Sequence, residues 1–300
     1  MMQSWVVSIT PFDADGGLDE HAFRLHLRRI RAAGAAAYVG SSNVGEGFTL
    51  SAEERDRVFA IAVEELKGRV PVRAAGCEPR GVADALDYLR AAARAGLDAA
   101  HLFQLDNGHT GKPNAAEMER FYDITIGEAT LPVVISSYPS MGYALPIDLV
   151  ARLLDRHPQI VAVRAGGGDP LWFAEAIRRF KGRALVYAAG VPSILPALHL
   201  GADGFLSGEG NLVPGLTTRL ITAARANDFA TMQAAYQDFV GLHAVLGKFG
   251  GGRGVKPLLN ALGLPGGSIR PPRLPIDDTA VAGLVEAVRA LDLPELRPPG

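Results

Sequence analysis

The sequence predicts an α/β protein, a (β/α)₈ TIM barrel followed by a C-terminal helical extension. Short β-rich runs alternate with longer amphipathic helical patterns, which is typical of parallel βα units. Eight such units point to a barrel rather than an open doubly wound sheet. The first strand also runs into a turn and not into the Gly-rich phosphate loop that an open nucleotide-binding sheet usually carries. The predicted strands are Trp5–Thr10, Ala36–Ser41, Val70–Ala75, Ala99–Phe103, Pro132–Ser137, Ile160–Arg164, Ala184–Ala188 and Gly204–Ser207.

The predicted helices are amphipathic, and one of them begins at a clear capping signal. Ser51-Ala52-Glu53-Glu54 is a capping box that starts a helix reaching about Leu66, and another helix follows Asp19. We assign residues 1–226 to the barrel and residues 227–300 to a C-terminal helical region packed on it. The other predicted helices are Val82–Ala95, Ala115–Ala129, Ile147–Arg156, Leu171–Phe180, Ser193–Leu200, Leu212–Ala226, Phe229–Leu246, Val255–Leu262 and Asp277–Leu291.

The composition narrows the class of partner. Of 300 residues, 48% are hydrophobic, and the net charge of -2 gives no attraction to nucleic acid or to anionic lipid. No apolar run reaches the length of a membrane span, and no basic stretch precedes an apolar one at the start of the chain. We therefore expect a cytoplasmic protein with a small-molecule partner, no nucleic acid and no membrane.

The sequence contains few residue patterns that are typical of a metal or cofactor site. Among the seven histidines, no pair has ligand spacing with an acid nearby on the predicted catalytic face. No Walker sequence and no Gly-x-Ser-x-Gly elbow is present. Cys77 is the only cysteine, and a lone thiol after an apolar run usually packs as a small hydrophobe. The sequence therefore predicts no metal and no cofactor.

Two segments of the chain resemble the dihydrodipicolinate synthase/N-acetylneuraminate lyase family. The end of strand two keeps Gly45, Glu46, Thr49 and Leu50 from the family pattern Gly-Thr-Thr-Gly-Glu with its following Thr-Leu pair. The second segment, 158–169, is similar to the family strand that carries a Schiff-base lysine. The resemblance spans nearly the whole chain. It implies a barrel with a helical appendage, lyase or aldolase chemistry on a 2-oxo acid, and a homotetramer or homodimer.

Arg164 stands where the resemblance implies that lysine. An amine nucleophile must lose its proton, and a guanidinium effectively never does. We therefore predict a divergent family member that lacks the Schiff-base lysine. A buried guanidinium needs a carboxylate, supplied either by a ligand or by Glu46 or Glu209. The following Gly166-Gly167-Gly168 can offer backbone N–H groups to an anion.

Other family positions are also changed. The resemblance implies two threonines where Asn43 and Val44 stand, a relay tyrosine where Ser136 stands, and a carboxylate-binding arginine where Met141 stands. Neither Asn nor Val has the hydroxyl that passes a proton. Asn43 can instead offer its amide to a ligand carboxylate. Tyr138 lies two positions beyond Ser136 in a strand of period two, so it can supply a phenol from the same face.

Three hypotheses follow. The first is a lyase-like enzyme that binds a small carboxylic or 2-oxo acid without a Schiff base. The second is a non-catalytic ligand-binding or regulatory homologue. The third is a conventional pyruvate-type aldolase that uses Lys112, the one lysine of five on a predicted catalytic-face loop.

The predicted catalytic residues are Arg164, Tyr138 and His109, a loop histidine placed for proton transfer. The predicted substrate-binding residues are Asn43, Val44, Glu46, Ser136, Ser137, Gly166, Gly190 and Glu209.

Overall fold

A computed structural model describes residues 2–138, 142–166 and 170–297. Within these ranges eight parallel strands form one closed barrel in which the strands follow each other in chain order. The predicted (β/α)₈ barrel and the C-terminal helical extension are both confirmed. The strands are β1 Gln3–Val7, β2 Ala36–Val39, β3 Val72–Ala75, β4 Ala100–Leu102, β5 Val133–Ser137, β6 Ile160–Gly166, β7 Leu185–Ala189 and β8 Gly204–Ser207.

Helices follow the strands in turn, and three more form the extension. The capping box at Ser51 is present as predicted: its hydroxyl accepts from the Glu54 backbone, and the Glu54 carboxylate accepts from the Ser51 backbone. Asn114 and Glu117 form a second such box. The helices are α1 Glu20–Ala32, α2 Ala52–Leu66, α3 Val82–Ala95, α4 Ala115–Gly127, α5 Ile147–Arg156, α6 Pro170–Phe180, α7 Val191–Leu200, α8 Pro214–Ala226, α9 Phe229–Lys248, α10 Val255–Ala261 and α11 Asp278–Arg289.

Most strand boundaries differ from the prediction by one to three residues, those of the first and sixth strands among them. The first strand ends at Val7. The Ser8 N–H still donates to the Tyr38 carbonyl of β2 at 2.8 Å, but the next N–H, that of Ile9, donates to the Asn211 side chain instead. The sixth strand continues two residues past Arg164, as far as Gly166. Arg164 therefore lies within the hydrogen-bonded part of β6, where the sheet fixes its backbone.

The chain forms two compact units. One is Arg73–Leu206, and the other combines Gln3–Val72 with the chain from Ser207 onward. In the second unit α9 packs against α8. The carboxylate of Glu295 accepts hydrogen bonds from the first N–H groups of α8, at Gly215 and Leu216, both at 2.7 Å. The end of the described chain is thus attached to a helix N-terminus, where a negative charge is stabilised.

Among the helices of the described ranges, none is both long enough and apolar enough to cross a membrane.

Candidate active site

Three side chains of neighbouring strands lie side by side in the first unit. The β5–β6 register pairs Ser136 with Arg164, and the β6–β7 register pairs Arg164 with Tyr187. Residues in register on parallel strands point to the same face of the sheet, and the face alternates along each strand. Ser136, Arg164 and Tyr187 therefore share one face.

That face is the inside of the barrel. The Arg73 guanidinium of β3 lies over the Tyr187 ring of β7, with Cζ 5.6 Å from the ring centroid. The strands β4, β5 and β6 lie between β3 and β7 in the sheet, so side chains of β3 and β7 meet only across its concave side. Tyr187 is 1% exposed, which agrees with an interior position.

Two aromatic rings lie beside the guanidinium of Arg164, which is half-buried. Its Cζ lies 4.6 Å from the centroid of the Tyr138 ring and 5.9 Å from that of Phe103. The two rings meet edge to face at 6.4 Å. A guanidinium over an aromatic face is held by cation–π attraction, which orients it without using its N–H donors. The predicted pair Arg164 and Tyr138 is thus brought together, and Phe103 joins it.

His101 of β4 lies two residues before Phe103, which follows the strand. It is 1% exposed, and its ring centroid is 4.4 Å from that of Phe103. Burial holds its pKa well below the usual histidine value, and the charges of Arg164 and Arg73 lower it further. The imidazole is therefore neutral at physiological pH, and both arginines act on it electrostatically.

The hydroxyl groups of β5 point to opposite faces. Ser136 is fully buried, and its Oγ makes no hydrogen bond within the described residues. Ser137, on the other face, accepts a hydrogen bond from the Leu145 backbone at 3.1 Å. Sequence reasoning placed both serines at the site, but the structure places only Ser136 on the face of Arg164.

Among the remaining predicted residues of this unit, His109, Lys112 and Gly190 lie between a strand and the α-helix that follows it. His109 is exposed in a short 3₁₀ helix, and Lys112 is exposed a few residues later. Gly190 precedes α7 with φ +89°, and a Cβ built there would meet nothing within 4 Å. Gly166 ends β6. Met141, Gly167 and Gly168 lie outside the described residues.

Glu46, in the second unit, has its carboxylate in a buried ion pair. Lys256 of α10 donates to one oxygen, and the Arg270 N–H donates to the other at 2.9 Å. The side chains of Glu46 and Lys256 are each 3% exposed. Burial lowers the pKa of Lys256 to about 8. Lys256 also donates to the Ser268 carbonyl at 2.7 Å, so the pair attaches the loop after β2 to the extension.

Asn43 and Val44 precede Glu46 in that loop. Asn43 is exposed, and its carbonyl accepts from the Arg273 guanidinium at 2.6 Å. Val44 is 8% exposed and lies near Gly208. The structure therefore gives Asn43 a backbone contact with the chain of the extension. The role predicted for the Asn43 amide stays a prediction.

Glu209, after β8, has two partners in the second unit. The Ser207 hydroxyl donates to one oxygen at 2.9 Å, and His243 Nδ1 lies 2.7 Å from the other. Burial alone would raise the pKa of Glu209, but the hydrogen bonds of His243, its own backbone and Ser207 bring it below its usual value. The hydrogen bond to Glu209 in turn raises the pKa of His243.

Sequence reasoning missed Arg73 and His101. Each is a charged or polar residue inside a short strand that is otherwise apolar, in Val72-Arg73-Ala74-Ala75 and Ala100-His101-Leu102. Such a residue is expensive to bury unless something compensates it. That interruption of the apolar run was the available signal.

Comparison with known proteins agrees with this architecture. The model of the dihydrodipicolinate synthetase family matches residues 1–291. A 4-hydroxy-tetrahydrodipicolinate synthase of Exiguobacterium sibiricum is 30% identical over 285 residues, with 94% of each chain covered. A probable 5-dehydro-4-deoxyglucarate dehydratase of Bradyrhizobium diazoefficiens is 30% identical over 291 residues, covering 94% of this chain and 90% of that one.

Solved structures show the same fold. The crystal structure of dihydrodipicolinate synthase DapA-2 from Bacillus anthracis has a TM-score of 0.88 at 27% identity, covering 96% of this chain and 98% of that one. The enzyme from Aquifex aeolicus has a TM-score of 0.90 at 25% identity, covering 98% and 99%. Synthases and a dehydratase of this kind are lyases, so the similarity supports a lyase-like enzyme.

Proposed function

Because the chain belongs to the dihydrodipicolinate synthetase family, we propose that it is a lyase-like enzyme that binds a small carboxylic or 2-oxo acid inside the barrel and forms no imine there. In this proposal, the Arg164 guanidinium binds the carboxylate of the acid. The proposal departs from a conventional family aldolase first of all at residue 164, whose side chain ends in a guanidinium and not in an amine.

The observation that carries the proposal is the position of Arg164. It lies on the inward face of β6, in register with Ser136, and its guanidinium is oriented by the Tyr138 ring. A guanidinium presents a planar fork of donors that matches a carboxylate, and such charge-assisted hydrogen bonds are stronger than neutral ones. A guanidinium also stays protonated, so it binds an acid but cannot attack a carbonyl.

Proton transfer at such a site needs a group near the bound acid. The Tyr138 ring is stacked on Arg164, and the buried hydroxyl of Ser136 lies on the same face. We assign the proton-transfer role to Tyr138, with Ser136 as a hydrogen-bonding group. The proposed set in this unit also includes His109 and Gly190, in the loops after β4 and β7, and Gly166, the last residue of β6.

An aldolase that uses Lys112 is less well supported. A lysine becomes a Schiff-base nucleophile when burial or a neighbouring cation lowers its pKa. Lys112 is exposed, so its ammonium keeps the solvation that stabilises the charged form.

The replacement Arg164→Met tests the proposal. If Arg164 binds the acid, affinity for a responding 2-oxo acid such as pyruvate should fall about tenfold to a hundredfold, since charge-assisted hydrogen bonds contribute about 1.5–3 kcal/mol. Arg178→Met is the matched control, because Arg178 is exposed on α6 and pairs with Glu175. Titration calorimetry gives the affinities, and thermal unfolding checks the fold.

Two results would contradict the proposal. If both variants bind as the unmodified protein does, Arg164 does not hold the acid. If Arg164→Met lowers the unfolding free energy by about 3–5 kcal/mol with no effect on any ligand, Arg164 serves a protein carboxylate instead. Turnover assays on the unmodified protein with the acids that bind separate an enzyme from a non-catalytic ligand-binding homologue.

We also propose a homodimer or homotetramer, as the family resemblance implies. Light scattering at micromolar concentration should give at least twice the monomer mass. A monomer would refute this part and leave the ligand proposal standing.

A further inference from the structure

Gln104 is a fully buried polar residue of the first unit, and the proposed function does not use it. It follows Phe103 just beyond β4 and is 0% exposed. Both ends of its side-chain amide hold backbone groups of the loop after β5. Its Oε1 accepts the Tyr138 N–H, and its Nε2 donates to the Tyr143 carbonyl at 2.9 Å. Because one amide offers both an acceptor and donors, this single side chain bridges two points of that loop.

The far end of this loop, at residues 143–145, has further attachments. The Tyr143 hydroxyl donates to the Leu105 carbonyl at 2.6 Å. The Leu145 N–H donates to the Ser137 hydroxyl at 3.1 Å. Loss of the amide bridge therefore leaves the far end of the loop fastened and affects mainly the near end.

The near end of the loop carries Tyr138, whose ring lies over the guanidinium of Arg164 with 4.6 Å between the ring centroid and Cζ. A ring projects from its own backbone, so the hydrogen bond at the Tyr138 N–H fixes the point from which the ring extends. Cation–π attraction acts within about 6 Å of the ring centroid, so a displacement of the backbone weakens it. Gln104 is neutral and therefore acts on Arg164 through the position of the ring.

We propose that Gln104 is a positioning residue for binding of the acid. Its amide holds the Tyr138 backbone, and the Tyr138 ring holds the Arg164 guanidinium in the orientation that receives the carboxylate. The effect of Gln104 on the acid rests on the proposed function, whereas its effect on Tyr138 does not. Since a buried amide without partners is destabilised, Gln104 keeps both hydrogen bonds in the folded protein.

The replacement Gln104→Met tests this inference, because methionine has a similar length and volume and lacks the amide. Affinity for pyruvate, measured by titration calorimetry, should fall roughly two- to thirtyfold, as expected for the loss of one cation–π contact. Gln104→Asn, whose side chain is one methylene shorter and cannot hold both backbone groups at once, gives the same test if Gln104→Met does not fold.

Tyr143→Phe is the matched control. It removes a hydrogen bond from the same loop and keeps the bridge made by Gln104. The control should bind pyruvate as the unmodified protein does, even where thermal unfolding shows that both variants lose stability equally. A loss of affinity confined to Gln104→Met therefore reports on position and not on stability.

A double-mutant cycle shows whether Gln104 acts through the ring. In the Tyr138→Leu background the ring is absent, so Gln104→Met should change the affinity for pyruvate by less than about twofold. An undiminished loss of affinity in that background would mean that Gln104 contacts the acid itself, and it would overturn the inference.

Fluorine NMR follows the ring without any ligand. The chain has seven tyrosines, so 3-fluorotyrosine labelling gives few signals, and the Tyr138 signal is identified by its loss in Tyr138→Phe. Arg164→Met should shift this signal in the unmodified protein, because it removes the cation beside the ring. The same replacement should shift the signal much less in the Gln104→Met background, and it should keep its full effect in the Tyr143→Phe background.

The two readouts separate this inference from the proposed function. A Tyr138 signal that responds to Arg164→Met equally with and without the Gln104 amide would overturn the inference. An unchanged affinity in Gln104→Met, where Arg164→Met weakens binding, would also overturn it and leave the proposed function standing. Binding that does not respond to Arg164→Met would overturn the proposed function, while the fluorine signal still decides whether Gln104 positions Tyr138.

Discussion

The Arg164 guanidinium lies over the Tyr138 ring, with Cζ 4.6 Å from the ring centroid. The contact joins the sixth strand to the residue that follows the fifth strand, so the arginine is oriented by its neighbour in the barrel. Tyr138 therefore has two parts that can be tested separately. Its ring positions the guanidinium of Arg164, and its hydroxyl can move a proton.

The first prediction separates those two parts. Tyr138→Leu removes the ring and should weaken binding of the acid by roughly two- to thirtyfold, because a cation–π contact is worth about 0.5–2 kcal/mol. Tyr138→Phe is the matched control: it keeps the ring, so affinity should be retained, while turnover should fall if the phenol moves a proton. Calorimetric affinities and turnover rates give the answer. Equal affinities in the two variants would show that the ring does not position Arg164.

The second prediction concerns the buried pair of Lys256 and Glu46. Lys256→Met leaves the Glu46 carboxylate buried without its cation, and this should lower the unfolding free energy by about 3–5 kcal/mol. Lys248→Met is the control, because Lys248 is exposed on α9 and its loss should change stability by less than about 0.5 kcal/mol. Urea denaturation measures both. A Lys256 variant as stable as the control would show that the pair does not hold the extension.

The third prediction is a pH dependence of stability. The pKa of His243 is raised in the folded protein by its hydrogen bond to Glu209. A raised pKa means that the protonated ring stabilises the fold. This contribution is fully present below the unfolded histidine value of about 6.5 and disappears as the pH rises through the folded-state pKa.

His243→Gln should therefore cost more stability at about pH 5.5 than at about pH 8.5. Both conditions keep Glu209 ionised, because its pKa is lowered. The same replacement at His21, an exposed residue of α1, provides the control. Unfolding curves at the two pH values measure the difference. A cost that does not change with pH would mean that protonation of His243 contributes nothing.

Much of the fold could be predicted from the sequence, because a βα unit carries its own signals. The alternation of apolar runs and the capping box at Ser51 are local features, and they located the strands and helices to within a few residues. Arg164 could be placed near the end of the sixth strand because it follows an apolar run in a region that resembles a known family.

The contacts within the site could not be predicted in the same way. Glu46 and Lys256 form an ion pair although they are 210 residues apart in the sequence. No local sequence pattern predicts such a pairing. The stacking of Arg73 on Tyr187 depends on two strands that meet only when the sheet curves. Alternation along β5 also decides that Ser136, and not Ser137, shares a face with Arg164. That choice needs the strand register, which a single sequence does not contain.

The central claim is that this barrel binds its acid without an imine. The most direct measurement is the intact mass of the protein after incubation with pyruvate, and separately with whichever 2-oxo acid raises its melting temperature, each followed by borohydride reduction. A family member with a Schiff-base lysine, treated in the same way, is the positive control. We expect the control to gain the mass of the reduced acid and this protein to keep its own mass while still binding the ligand. A stable adduct on any lysine, Lys112 above all, would contradict the account.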